Sequence, residues 1–133
     1  MKLLLDTHVL LWTIAGDDRL PEKAKELILQ EENEIYFSII SLWEIQIKYL
    51  LHPAEMKPAE YVMKCCEKAD FHLLNLSSES ICKLAELSRP ESAPKHKDPF
   101  DRMLICQAVT EDMLFLTHDT LLPDYAVPNI LLV

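Results

Sequence analysis

Four acidic residues stand where short apolar runs end or begin: Asp6 in "LLLDTH", Glu44 in "SLWEI", Asp101 in "DPFDR" and Asp119 in "LTHD". Carboxylates gathered at one point disfavour each other's ionisation unless a cation sits among them. An all-oxygen donor set selects hard ions, Mg²⁺ or Mn²⁺. Such ions bind phosphate oxygens and activate water for in-line attack at phosphorus. The chemistry implied is metal-assisted attack of water at phosphorus, if the fold brings the four acids together.

The elements that must do so alternate. "KLLL" is a short apolar run ended by Asp6, as expected of a strand buried on both faces. "THVLLWTIA" predicts a short helix closed near Gly16, and "PEKAKELILQEE" a helix with Pro21 at its start and Leu27 and Ile28 turned inward. "EIYFS" is a second strand, and "IISLWEIQIKYLL" a helix apolar almost all round, hence buried. "PAEYVMKCCEKA" is helical, "FHLLNL" a third strand, and "SSESICKLAEL" a helix with a capping-box start at Ser77 or Ser78. After the loop "SRPESAPKHK" come the helix "DPFDRMLICQAVTED", the strand "LFLT" and a last strand "NILLV". This order predicts an α/β fold with a central, mainly parallel sheet and helices on both faces, residues 1–133 forming one domain.

In an open parallel sheet, ligands bind beyond the carboxyl ends of the strands. Asp6 and Asp119 follow strands, Asp101 lies in a first helical turn, and Glu44 lies early in the helix after the second strand. Each also has a purely structural reading. Asp6 and Asp119 suit helix N-caps. Asp98 suits an N-cap, with Pro99 at the first helical position and Asp101 in the first turn, where an acid complements the macrodipole. Glu44 completes a capping box if Ser41 is the cap, and pairs with Lys48 at i,i+4. Against the structural reading, Glu44 is the only charged residue between Glu34 and Lys48. A buried carboxylate without a partner is costly.

Lys95, Lys97 and Arg102, with His96 between the lysines, make the most concentrated basic stretch. They are candidate phosphate contacts, although a solvated loop is the commoner meaning of such a run. His8 and His118 adjoin Asp6 and Asp119, which raises a His/carboxylate zinc site. Alternation along a strand would turn His118 away from Asp119, and zinc is disfavoured. Trp12, Trp43, Tyr36, Phe37 and Phe100 lie in apolar runs and are expected mostly in the core.

The 133 residues carry a net charge of −9, which provides no general attraction to nucleic acid or anionic membrane. A nucleic-acid enzyme with this balance needs bound metal or local positive charge. The single glycine, Gly16, argues against tight hairpins and Gly-rich phosphate loops. Cys65, Cys66, Cys82 and Cys106 show no C-x-x-C spacing, so reduced thiols are expected. No secretory leader is read at the start, and the longest apolar stretch is too short to span a bilayer. The expectation is a cytoplasmic protein without membrane association.

"LLLDTHVLLW", "SIISLWEI", "HKDPFDRMLICQA" and "LTHD", in this order and spacing, resemble the PIN-domain nucleases, and among them the VapC-type toxins of toxin–antitoxin systems. Any one motif is weak; four in register carry the resemblance from residue 3 to about residue 119. It implies a Rossmann-like α/β/α sandwich and a Mg²⁺- or Mn²⁺-dependent endoribonuclease. Asp6, Glu44, Asp101 and Asp119 match the family's acidic residues, with Thr7 and Thr117 at its hydroxyl positions. It also implies a homodimer and a cognate antitoxin partner that covers the groove. A receiver domain fits poorly, since "LLLDTH" has one acid and "NILLV" no lysine. A haloacid-dehalogenase phosphatase would need Asp-x-Asp, where this chain has His8. A non-catalytic PIN-fold scaffold and a DNA-directed PIN nuclease remain as alternatives.

Overall fold

A computed structural model describes residues 1–133. Five short strands, β1 (Lys2–Leu5), β2 (Glu34–Ser38), β3 (His72–Leu74), β4 (Leu114–Thr117) and β5 (Ile130–Leu132), form one sheet in the order β3-β2-β1-β4-β5. Every pairing is parallel, as the alternating elements predict. Six helices connect and cover the strands: α1 (Thr7–Ala15), α2 (Glu22–Leu29), α3 (Ile39–Leu51), α4 (Ala59–Lys68), α5 (Ser78–Lys83) and α6 (Pro99–Thr110).

The strand β1 shows why the fold has three layers. Leu3 and Leu5 point to one face, where they meet Val9, Leu10, Phe37, Ile45 and Val62. Leu4 points to the other and joins Leu104, Ile105, Ala108 and Phe115. All three leucines are fully buried, so the period of two along a strand divides one apolar run between two cores.

Local chemistry sets the helix limits. Gly16 closes α1 in the left-handed region at φ 62°, a conformation that side chains resist. Asp98 caps α6 by accepting from the backbone N–H groups of Phe100 and Asp101, with Pro99 leading the helix. Ser77 caps α5, but the residue three positions on is Ser80, so the reciprocal acid of a capping box is missing.

Two expectations about α3 fail. Its cap is Ser38, which accepts from the Ile40 N–H, so Ser41 lies inside the helix and the Ser41–Glu44 capping box does not form. Nor is α3 buried all round: Trp43 is 60% exposed and Leu50 and Leu51 each 69%, with Ile39 and Ile47 also open. The helix buries Leu42 and Ile45 against one core and Ile40 against the other. Trp43 rests edge-on against Phe100 of α6, ring centroids 5.3 Å apart, at the rim of this open side. No helix is long and apolar enough to cross a membrane, and all four cysteines are free thiols.

Candidate active site

The strands β1 and β4 are neighbours, yet the chain leaves β1 towards β2 and leaves β4 towards β5, on opposite sides. Their carboxyl ends are thus the topological switch point, where an open α/β sheet forms its crevice. A cleft of about 370 Å³ opens there, and Asp6, Glu44, Asp101 and Asp119 all line it together with Thr7 and Asp98.

Asp6 directly follows β1 and caps α1. Its Oδ1 accepts from the Thr7 N–H at 2.7 Å and its Oδ2 from the Thr117 hydroxyl at 2.6 Å. A carboxylate offers about four lone-pair sites, so these two bonds aim the group without exhausting it. Glu44 comes from the second turn of α3. Its Oε1 accepts from Thr7 Oγ1 at 2.8 Å, and its Oε2 from Lys48 Nζ at 2.8 Å. The i,i+4 pair read from the sequence therefore forms, and it forms inside the cleft wall. Asp119 sits two residues beyond β4, where its Oδ1 accepts from the Leu121 N–H. Asp101 enters from the first turn of α6.

Capping and cleft lining are not exclusive here. Asp6 does both because the first N–H groups of α1 face the same crevice as the strand ends. Asp98 spends one oxygen on the α6 cap and lies at the cleft margin.

Burial pushes the Asp101 carboxyl up to about 8, and the neighbouring charges of Asp6, Asp98, Glu44 and Asp119 push the same way. Burial also raises Asp6, against the opposing hydrogen bonds from Thr117 and Thr7. The crowding of like charge inferred from the sequence is thus a property of the folded cleft. Oxygen donors without a thiol among them suit a hard divalent cation; none of the cysteines lines the cleft.

The basic stretch behaves differently. Lys95 and Lys97 are exposed, and none of Lys95, Lys97 and Arg102 lines the acidic cleft. Lys97 and Arg102 instead border an apolar groove between α3, α5 and α6. The cation in the acidic cleft is Lys48. His118, which strand alternation would have turned away, lines the cleft beside Asp119. The reason is that β4 ends at Thr117, so the alternation of a strand no longer applies at the next residue.

Three further residues escaped the sequence reading. Trp12, in an apolar run of the kind that mostly packs into a core, lines the cleft, its ring 5.8 Å from those of both His8 and His118. Gln107, fully buried in α6, bonds the Ser38 hydroxyl at 2.5 Å and so ties α6 to the α3 cap. His96 folds inward from the loop before α6 to meet Asp101. Burial lowers its pKa, which favours the neutral ring. Its position inside the basic run "KHK" hid it, because the run reads as solvated.

A PIN domain family model matches residues 3–128. The chain belongs to the PIN-domain family. A search of curated proteins finds no significant match. Among solved structures, the fold is similar to VapBC2 from Rickettsia felis bound to a DNA fragment from its promoter. That likeness has a TM-score of 0.69 at 19% identity and covers 100% of this chain and 98% of that one. A toxin–antitoxin complex from Klebsiella pneumoniae (TM-score 0.62, 18% identity, 97% and 95% covered) is similar too. So is DNA-bound VapBC from Salmonella typhimurium (TM-score 0.61, 19% identity, 100% and 97% covered).

Proposed function

We propose that residues 1–133 form one PIN domain acting as a metal-dependent endoribonuclease, the toxin of a toxin–antitoxin pair. One observation carries this reading: four carboxylates from four separate elements line a single cleft at the switch point of the sheet. Asp6, Glu44, Asp101 and Asp119 would hold Mg²⁺ or Mn²⁺. When bound, such an ion supplies charge neutralisation at the phosphate and activation of water. Thr117 and Thr7 orient Asp6 and Glu44 through the hydrogen bonds described above. Lys48 offsets part of the negative charge at Glu44.

The aromatic wall of His8, Trp12 and His118 supports a single-stranded substrate, since unstacked bases bind on aromatic faces. The net charge of −9 makes a cationic partner the natural counterpart of this surface. Toxin–antitoxin complexes among the similar structures support an antitoxin as that partner. The exposed apolar side of α3 leaves surface for it or for a second copy in a homodimer. We place the protein in the cytoplasm, where its RNA substrate lies.

The test is cleavage of single-stranded RNA by the purified protein. Cleavage with Mg²⁺ or Mn²⁺ that stops in EDTA is the expected result. Full activity in chelator, or with zinc alone, overturns the metal assignment. Cleavage of DNA in preference to RNA overturns the substrate class, and absence of any cleavage returns the fold to a scaffold role.

A further inference from the structure

His96 is the least expected member of the cleft region. Its side chain is only 6% exposed although it lies between two exposed lysines. Both ring nitrogens are engaged: Nδ1 lies 2.7 Å from the Tyr125 phenol oxygen and Nε2 lies 3.1 Å from Asp101 Oδ2. Tyr125 is itself 2% exposed. Its ring faces the guanidinium groups of Arg89 at 4.8 Å and Arg102 at 5.8 Å, and Arg102 Nη1 donates to its hydroxyl at 3.3 Å. Arg89 also donates to the carbonyls of Leu121 and Pro94. The imidazole is thus held by a fixed frame, not by a free loop.

The directions of these bonds follow from what each group has to give. With Arg102 donating into the phenol oxygen, the single phenol hydrogen is free for Nδ1, the nearer of its two acceptors. Nε2 then carries the ring hydrogen and donates it to Asp101 whenever Asp101 is ionised, as any metal ligand must be. One Asp101 oxygen is thereby occupied and the other is left for the cleft.

We infer that His96 is a positioning residue, which fixes the Asp101 carboxylate for metal binding through the chain Arg102–Tyr125–His96–Asp101. The inference rests on the metal-site reading proposed above. The rival is direct ligation, because ligand atoms of His96, Asp101 and Asp119 lie within 4.8 Å of one another. Positioning is favoured because both imidazole nitrogens already have partners and the hard ions that suit this cleft take oxygen.

The test is Mn²⁺ binding by the metal-free protein, measured by calorimetry and by the paramagnetic resonance of free Mn²⁺, with melting temperature recorded alongside. His96→Gln places an amide donor near the Nε2 position; His96→Asn is too short to reach Asp101 but can still meet Tyr125. Loss of a hydrogen bond behind a metal ligand costs roughly 10- to 100-fold in affinity. His96→Ala and His96→Asn are therefore expected to bind Mn²⁺ at least about tenfold more weakly, while His96→Gln stays within about threefold of wild type. Tyr125→Phe keeps the packing, removes the bond to Nδ1 and gives a smaller loss; it carries the test if His96→Ala does not fold. Wild-type affinity in His96→Ala or Tyr125→Phe overturns the inference, as does His96→Gln as weak as His96→Ala, which would indicate direct ligation or mere packing. Failure of the wild type to bind Mn²⁺ would instead sink the metal-site reading itself.

Discussion

The Thr117 hydroxyl donates to Asp6 Oδ2 over 2.6 Å, joining the end of β4 to the end of β1 across 111 positions of sequence. Both residues are buried, at 0% and 4% exposure. Thr117→Val keeps the shape and removes the donor, leaving a buried carboxylate oxygen unsatisfied. Such a loss costs about 1–3 kcal/mol. Thr117→Val should melt a few degrees lower and cleave RNA more slowly, whereas Thr117→Ser should recover most of both. Thermal denaturation and initial rates of the three proteins check this, and an unchanged Thr117→Val would mean that the bond does not orient Asp6.

Asp6→Asn, Glu44→Gln, Asp101→Asn and Asp119→Asn should each reduce cleavage by about 10²-fold or more, the scale seen when a preorganised electrostatic element is lost. Asp98→Asn should be milder, because asparagine still accepts the N–H bonds that cap α6. An inactive Asp98→Asn beside an active Asp101→Asn would exchange the two roles.

The metal-free protein should lose stability as the solution is made alkaline. The folded state raises Asp101 from its ordinary 3.8 to about 8 and raises Asp6 as well. Between those pH values the folded chain holds a proton that the unfolded chain has released. Its contribution is fully present below the ordinary value and is lost as pH rises through the folded one. In EDTA, wild type should melt at a higher temperature at about pH 5.5 than at about pH 8.5, and Asp101→Asn should show a smaller difference. A melting temperature independent of pH over that range would contradict the shift.

Metal should reverse this penalty. Without metal, folding must either hold a proton on Asp101 or crowd its charge among the others; Asp101→Asn removes that cost and in EDTA should melt at or above the wild-type temperature. An ion that binds only the folded state adds roughly 2.7 kcal/mol at a hundredfold excess over its dissociation constant. Millimolar Mg²⁺ or Mn²⁺ should therefore stabilise wild type, and Asp101→Asn much less. If calorimetry shows equal metal shifts for the two, Asp101 is only a first-turn helix residue.

Trp12→Ala should weaken binding of single-stranded RNA while leaving Mn²⁺ affinity unchanged, because its ring lines the cleft without offering a metal donor. Loss of a stacking platform is worth about 1–3 kcal/mol per base. Fluorescence anisotropy with labelled RNA in Ca²⁺ or in a non-cleaving variant measures it.

The acids were legible before the fold was seen because their positions are dictated locally. Asp6 ends an apolar run, and Asp98, Pro99 and Asp101 write out a helix start. The parallel sheet was legible for the same reason: strand and helix patterns alternate without hairpin glycines. What stayed hidden depends on which surfaces meet. An apolar helix such as α3 reads as core whether or not anything covers Trp43 and Leu50. The loop residue His96 reads as solvated until Tyr125, about thirty positions away, is seen to hold it. His118 faces the cleft because the alternation of β4 stops with the strand at Thr117 and does not carry on to the next residue.

The pairing of β1 with β4 also governs when the cleft can exist. Leu5 has Leu116 as its register partner, and the Asp6 N–H donates to the Leu116 carbonyl. During synthesis β1 is made well before β4, so the second oxygen of the Asp6 carboxylate waits for Thr117 before it is held. Contacts so distant in sequence close slowly, since loop entropy is lost before they form. A growing chain thus carries no assembled acidic cleft beside the ribosomal RNA and messenger that surround it. An antitoxin of the kind proposed above, if made alongside, would gain that interval in which to arrive.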